Sequence, residues 1–485
     1  MNRIYLSIIV ILLFTALWSA YNRTRSAPAP TSPPTPEPTL SPNLEPSLDP
    51  TSTPVPIASK SATSLEPQYA GLEQDLSGVH LRLATIGGAV IFEAMYESLS
   101  IFEEATGATT EIIYMSKDNF EVDHYLKEQY QAGTVAFDIA WNHTSFFPQY
   151  IDFLEPLESY FSPEELAPFS KAILDGSTKD GHLWLMPRHG DISGLYYRTD
   201  LFDDPQNQQV FAEQYGYPLA PPETLDQMYD MAEFFTTCCD VYGTQFAGRE
   251  EALTGRFMEL LVVNGGQYFD GNLNPIFNSD AGVLAATWVH DLYINGYIPP
   301  DTTDYLWLEV AQNFCDGQIA FYLEWHNWYN YVQDPENCVV AGRFGIARGP
   351  VGLLGDVHTG WGGAHGFSIA AASEHKEAAA QLLKFLTSER VLYEEAQLGP
   401  LPVRDDVWAR IIADASSSDV ALDSKRLAIA QAQINEDFFT PPQIKEWIAF
   451  SDLWYPQLQQ IMLGNVEVKP GLDTAVDETR VIMAR

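Results

Sequence analysis

Eleven prolines fall between Pro28 and Pro56, inside a stretch from Ser26 to about Gln68 composed almost wholly of Pro, Ser, Thr, Ala and a few acids. That composition has too little apolar surface to offset the entropy of folding, so this part of the chain is a linker and any large core lies beyond it. Pro-rich chain extends about 3.1 Å per residue, enough to hold a domain ~100 Å from its point of attachment. Ahead of it stand Arg3 and an apolar run from Ile4 to Ala20, long for a signal-peptide core and just short of a comfortable membrane span. Both readings mean export. Trp18 occupies a position where a cleavage site needs a small residue, which favours an uncleaved anchor, and no cysteine precedes Cys238 to carry a lipid. Arg3 is opposed by Arg23 and Arg25 beyond the run, so charge alone leaves orientation open, and the Pro-rich stretch favours the outside. The expected division is residues 1–21 as signal-anchor or signal peptide and 22–76 as disordered linker.

The remaining length, with 46% hydrophobic and 13% aromatic residues over the whole chain, suffices for a large core in two lobes. Lys and Arg total 26 against 65 Asp and Glu, a formal charge of −39 that repels nucleic acid and anionic lipid. No nucleic acid partner is expected. The four cysteines, Cys238, Cys239, Cys315 and Cys338, suit one or two disulfides outside the cell, or buried thiols, and their pairing is not readable. The adjacent pair lacks metal or redox spacing and has no histidine cluster beside it, so no metal or cofactor is expected.

The folded region opens near Gly78 with an apolar strand over 80–86, closed by Gly87 and Gly88 and followed by a helix over 90–105. Strands at 110–114 and 137–140 flank a helix around 122–132, the alternation of a parallel sheet with crossover helices. Thr224 and Gln227 have capping-box spacing, and Leu225, Met228, Ala232 and Phe235 line one face of the helix they open.

The order of motifs over about 78–482 resembles the maltose-type and multiple-sugar solute-binding proteins of ABC importers. Residues 102–107, FEEATG, look like that family's helix ending, with Gly107 as the C-cap, and Phe137-Asp138-Ile139 resembles its "pDv" strand. The pair DGHLWLMP at 180–187 and LYYRTDLF at 195–202 is the most specific match and marks the first crossing between lobes. FCDGQIAF at 314–321, the helix over 373–388 and PLPVR at 400–404 follow in the family's order. The resemblance implies an α/β, two-lobed periplasmic-binding-protein-like fold of type II with hinge crossings. Lobe 1 is expected over 78–187 plus 350–397 and lobe 2 over 190–347 plus 400–485. It further implies a monomer that closes on a solute, most simply a sugar, and delivers it to the permease subunits of an ABC importer.

A sugar offers hydroxyl rims and apolar ring faces, so its site combines aromatic platforms with short polar side chains. The segment from Glu324 to Tyr329 has that composition, with Trp325 or Trp328 as a stacking platform and core packing of both as the alternative. Trp361, within the glycine-rich run 359–366, either faces the cleft or packs on a hinge. Arg188, His189 and Asp191 follow the strand ending at Pro187, a polar cluster placed where hydroxyl-binding side chains would sit; Asp191 either accepts from two vicinal hydroxyls or pairs with Arg188 at the hinge. Asn142 and His143 at the end of the third strand, and Gly87 and Gly88 at the end of the first, stand where α/β sheets make ligand contacts.

The rival readings are a secreted glycosidase and a binding protein for a polyamine, an iron complex or a phosphorylated polyol. A tethered sensor or adhesin is a third. No carboxylate pair is selected by spacing, and neither H-E-x-x-H nor G-x-S-x-G occurs, so no enzyme activity is expected.

Overall fold

The computed structural model describes residues 66–87, 95–116, 119–133, 135–417 and 421–484. The apolar run, the linker up to residue 65 and Gly88 lie outside the described residues. Among the described residues no helix is long and apolar enough to cross a membrane.

Nine strands are found among them: β1 (His80–Thr85), β2 (Thr109–Tyr114), β3 (Ile139–His143), a small hairpin of β4 (Thr178–Lys179) and β5 (His182–Leu183), β6 (Met186–Arg198), β7 (Phe321–Trp325), β8 (Phe344–Ala347) and β9 (Gly362–Ile369). β1 pairs in parallel with β2 along its whole length and with β3 at Leu83 and Ala84. Helices Leu99–Thr106 and Asn119–Gln131 make the crossovers. Gly107 ends the first of these in the left-handed region, φ 75°, with its N–H on Glu103 O, the role its sequence position implies. The third strand starts at Ile139, two residues later than its apolar run. Just before it, Asp138 is drawn onto Arg82, whose N–H donates to Asp138 Oδ2 at 2.9 Å.

β6 joins the two halves of the molecule. Its residues 186–192 run antiparallel to β9, which in turn pairs with β3, so the first sheet reads β2-β1-β3-β9-β6. From Ser193 onward β6 pairs instead with β7 and β8. Nearly every side chain of this thirteen-residue strand is buried, including Arg188, His189, Asp191 and Arg198. Buried charge is costly unless paired, so each of these must find a partner. One hydrophobic core gathers Leu81, Phe102, Ile139, Phe367 and Leu383 on the first side, and another gathers Leu195, Phe235, Phe257, Leu323 and Trp454 on the second. Leu401, Val403, Trp408 and Ile434 belong to the first core, whereas Trp447, Leu458 and Leu472 belong to the second.

Residues 66–76, at the end of the stretch read as linker, lie on the first core. Tyr69 stacks on Phe385 at 5.5 Å, Leu76 is buried, and Gln68 O accepts from Arg390 N. All four cysteines are paired, Cys238 with Cys239 and Cys315 with Cys338.

Candidate functional site

Where β3, β9 and β6 lie side by side, three histidines face one another across the strands. His143 is opposite His365, and His365 is opposite His189. The register of β6 slips by one residue at Arg188, between Pro187 and His189, and this bulge sends Arg188 away from the row. His189 and His365 stack at 4.5 Å, and His143 meets His365 edge-on at 4.8 Å. Gly363 stands opposite Asp191, and a Cβ there would lie 2.7 Å from the His143 ring, so only glycine leaves room for this packing.

The hydrogen bonds fix where the ring protons sit. Trp141 Nε1 donates to His365 Nδ1 at 3.0 Å, and Ser145 N donates to His143 Nδ1 at 3.1 Å. With Nδ1 of each ring accepting, its Nε2 carries a proton. His365 Nε2 points it at Asp191 Oδ2, 3.0 Å away, and His143 Nε2 lies 3.9 Å from the same oxygen. Asn327 Nδ2 donates to Asp191 Oδ1. Burial lowers the pKa of His143 to about 3, with His365 adding to the effect and Asp191 opposing it. Burial and His365 also lower that of His189, against the pull of Glu395. Burial alone would raise the pKa of Asp191, but the charge and hydrogen bond of His365 outweigh it, and the group stays a carboxylate.

His143, Asp191 and His365 bring three possible metal ligands within 4.8 Å of one another. The groups behind the two imidazoles do not fit a metal, however. A ligating imidazole donates its far N–H to an acceptor, whereas here both far nitrogens accept from N–H groups. The trio presents donors and a carboxylate.

Above this floor is a cavity of about 480 Å³. Its other wall is aromatic: Trp325 at the end of β7, Trp328 and Tyr331 just beyond, Trp307 at the start of helix Trp307–Cys315, and Trp361 ahead of β9. Trp325 and Trp361 meet edge to face at 4.7 Å. A larger hollow of about 650 Å³ lies near Pro221, Arg348 and His358, but Arg348 there is engaged by Asp437 and Glu436.

A lined cavity beside a strand that passes from one core to another is the arrangement the sequence motifs imply, and residues 89–392 match the family model described as bacterial extracellular solute-binding protein. This chain belongs to that family. Among curated relatives, a probable ABC transporter-binding protein of Deinococcus radiodurans is 27% identical over 305 residues, 61% of this chain and 69% of that one. Among solved structures, maltose-bound T. maritima MalE3 superposes with a TM-score of 0.70 at 22% identity, covering 83% of this chain and 100% of that one. A solute-binding protein from Agrobacterium radiobacter K84 in complex with ribitol gives 0.68 at 21% identity, covering 83% and 98%. These likenesses establish the two-lobed binding-protein fold.

Of the residues singled out from sequence, His143, Asp191, Trp325, Trp328 and Trp361 line the cavity of this solute-binding protein. Trp361 does so while packed as a core residue, 4% exposed, against Gly255, where a Cβ would lie 2.0 Å from its ring. Trp361 thus packs in the second core and edges the cavity at once. Arg188 does not line the cavity and does not pair with Asp191. It is buried on Glu395, Nε to Oε1 2.7 Å, and reaches Tyr96 OH at 3.4 Å. Glu324 is likewise off the cavity, because its place on β7 turns it inward toward Arg256. Burial raises its pKa to about 7, Arg256 working against this. Asn142 is fully buried, with Nδ2 on Ser368 Oγ and Oδ1 accepting from His143 N. Gly87 closes β1 on Ser116 O under the Tyr114 ring and does not reach the cavity.

His189, in the same polar cluster as Arg188 and Asp191, also lines the cavity, whereas His365, Asn327, Trp307 and Glu251 were not singled out from sequence. His365 had a readable signal, as a lone polar ring in a strand of glycine and alanine. Trp307 and Glu251 had none, since only tertiary packing brings them to the cleft.

Proposed function

We propose that this chain is the receptor of an ABC importer and captures a sugar or polyol in the cavity between its two cores. The observation that carries the reading is the pairing of an aromatic wall with a floor whose donors and acceptors are all fixed. Trp325, Trp328 and Trp361 suit the apolar faces of a sugar ring. Asp191, His143 Nε2 and Asn327 suit its hydroxyls. The maltose and ribitol held by the two structural neighbours support the same ligand class. Closure turns on the crossings at Ile192–Ser193, where β6 passes from β9 to β7, and at Trp361–Gly362, where the chain enters β9. In this reading residues 1–65 tether a monomeric receptor outside the membrane, and the closed form docks on the permease subunits.

The test is calorimetry and thermal shift of the full-length protein in detergent against a panel of mono- and disaccharides and alditols. A bound member at 100 times its Kd raises stability by about 2.7 kcal/mol. Trp325→Ala removes roughly 100 Å² of stacking contact, about 2.5 kcal/mol or some 70-fold in affinity. A panel with no binder, or a binder indifferent to Trp325→Ala and Trp328→Ala, overturns the proposal.

A further inference from the structure

The cavity has one acidic group that the hydroxyl floor does not use. Glu251, in the first turn of helix Glu250–Val263, lines the cavity while only 6% of its surface is exposed. Its hydrogen bond comes from Trp447 Nε1, at 3.2 Å to Oε1. Among the described residues no cationic side chain is paired with it, and neither Lys nor Arg lines the cavity. Glu251 shares that wall with Trp307, Trp325 and Trp361. A carboxyl in a cavity lined by indoles is a surrounding that recognises a cation, because a carboxylate and the face of an indole ring are both negative. With Asp191 as the second acid and no guanidinium or ammonium present, the same cavity repels phosphorylated and carboxylated solutes.

We propose that the solute is a polyhydroxylated amine, such as an amino sugar, whose ammonium sits against Glu251 while its hydroxyls engage Asp191, His143 and Asn327. This rests on the reading of the cavity as a sugar or polyol site and narrows it. Without ligand, burial pushes the Glu251 pKa up to about 8, with the Trp447 bond pulling the other way, so the acid is mostly protonated at pH 7. The other titratable groups around it are the Tyr268 hydroxyl, kept neutral by burial, and the cavity's His143, His189, His365 and Asp191. When the ammonium arrives, Glu251 releases its proton to solvent and the ammonium keeps its own, leaving an ion pair.

The experiment compares matched probes on the full-length protein: glucose with glucosamine, galactose with galactosamine, and sorbitol with 1-amino-1-deoxysorbitol. Calorimetry is run at pH 7 in phosphate and in Tris, so that the buffer dependence of the heat counts protons released. The expected result is at least tenfold tighter binding of one amine than of its hydroxyl partner, with close to one proton released. Glu251→Gln, which keeps the acceptor for Trp447, should abolish both the preference and the proton release. It should leave the fold intact by circular dichroism. Hydroxyl probes binding as tightly as amines, or amines binding without proton release, overturns this inference and leaves the sugar-receptor reading standing. Preference for spermidine over every hydroxylated amine overturns it as well. Failure of every hydroxylated probe to bind overturns the sugar-receptor reading itself.

Discussion

Replacing Glu395 by Gln tests whether the histidine row rests on a buried ion pair. Arg188 and Glu395 have side chains 0% and 1% exposed, and Glu395 also accepts from His189 Nδ1 at 3.2 Å. Removing one partner leaves the Arg188 charge buried without its counterion, which costs about 3–5 kcal/mol. Unfolding entropy near 2.1 cal/mol/K per residue, over the roughly 420 residues of the compact unit, makes that a fall in Tm of about 3–6 °C. The double variant Arg188→Met with Glu395→Leu removes both charges and should recover most of the loss. Burial alone would raise the pKa of Glu395, but Arg188 and His189 overcome this and hold it below the ordinary value. The contribution is therefore fully present above the ordinary carboxylate range and is lost as pH falls through the depressed pKa, so wild type and Glu395→Gln should converge on acidification. Urea unfolding and scanning calorimetry measure both effects. A single-variant loss under 1 kcal/mol at pH 7, or a double variant as unstable as the sum of its singles, would refute the assignment of Arg188 to a structural pair.

Asp191→Asn keeps the side-chain shape but turns a charged acceptor into a group with an N–H facing His365 Nε2. It should weaken ligand binding by about 1.5–3 kcal/mol, roughly 10- to 150-fold by calorimetry, and a change under twofold would remove Asp191 from the ligand's partners. Cys315 and Cys338 are 23 residues apart, so opening that disulfide releases about 3.4 kcal/mol of loop entropy, whereas Cys238 and Cys239 enclose no loop. Cys315→Ser with Cys338→Ser should accordingly melt several degrees lower, and Cys238→Ala with Cys239→Ala within about 1 °C of wild type. Folded Glu251 keeps its proton to about pH 8, while the unfolded chain releases it near 4.5. Wild type should lose stability across that window, by up to about 1.4 kcal/mol per unit, and Glu251→Gln should not. Parallel urea curves for the two from pH 5 to 8 would show that Glu251 ionises normally.

What could be read from the sequence divides along physical lines. β1 and the crossover helices were legible because their signals are local: an apolar run, a glycine at a helix end, a capping pair such as Thr224 and Gln227. Thr224 Oγ1 does accept from Gln227 N, but the Gln227 side chain reaches Glu223 N, one residue short of a reciprocal box. The cleft was legible where a motif gathered several candidates within a few residues, as with Trp325 and Trp328. It was not legible where strand parity decides. Glu324 and Trp325 are neighbours on β7, so one points inward toward Arg256 and the other toward the cavity. A composition window cannot separate them. Arg188 was misread for a related reason, because a one-residue bulge reverses the face its position implies.

The same register explains why the floor takes three strands to build. His143, His365 and His189 are separated by 222 and 176 positions, and only the antiparallel alignment of β9 between β3 and β6 brings them into one row. That alignment makes the floor sensitive to the hinge. β6 passes from β9 to β7 at Ser193 and the chain enters β9 just after Trp361, and Glu259 holds both points, accepting from Ser193 Oγ at 2.5 Å and from Trp361 N at 3.1 Å. Arg256 bonds Glu259 and lies 5.7 Å from the Trp361 ring centroid. In the proposed closure, a rotation at the crossing would carry Trp361 together with the helix that holds Glu251, while His143 and His365 stay with the first sheet. In the proposed closure the aromatic wall, with Asn327 beside it, and the histidines of the floor thus lie on opposite sides of the crossing, and a solute that touches both ties closure to occupancy.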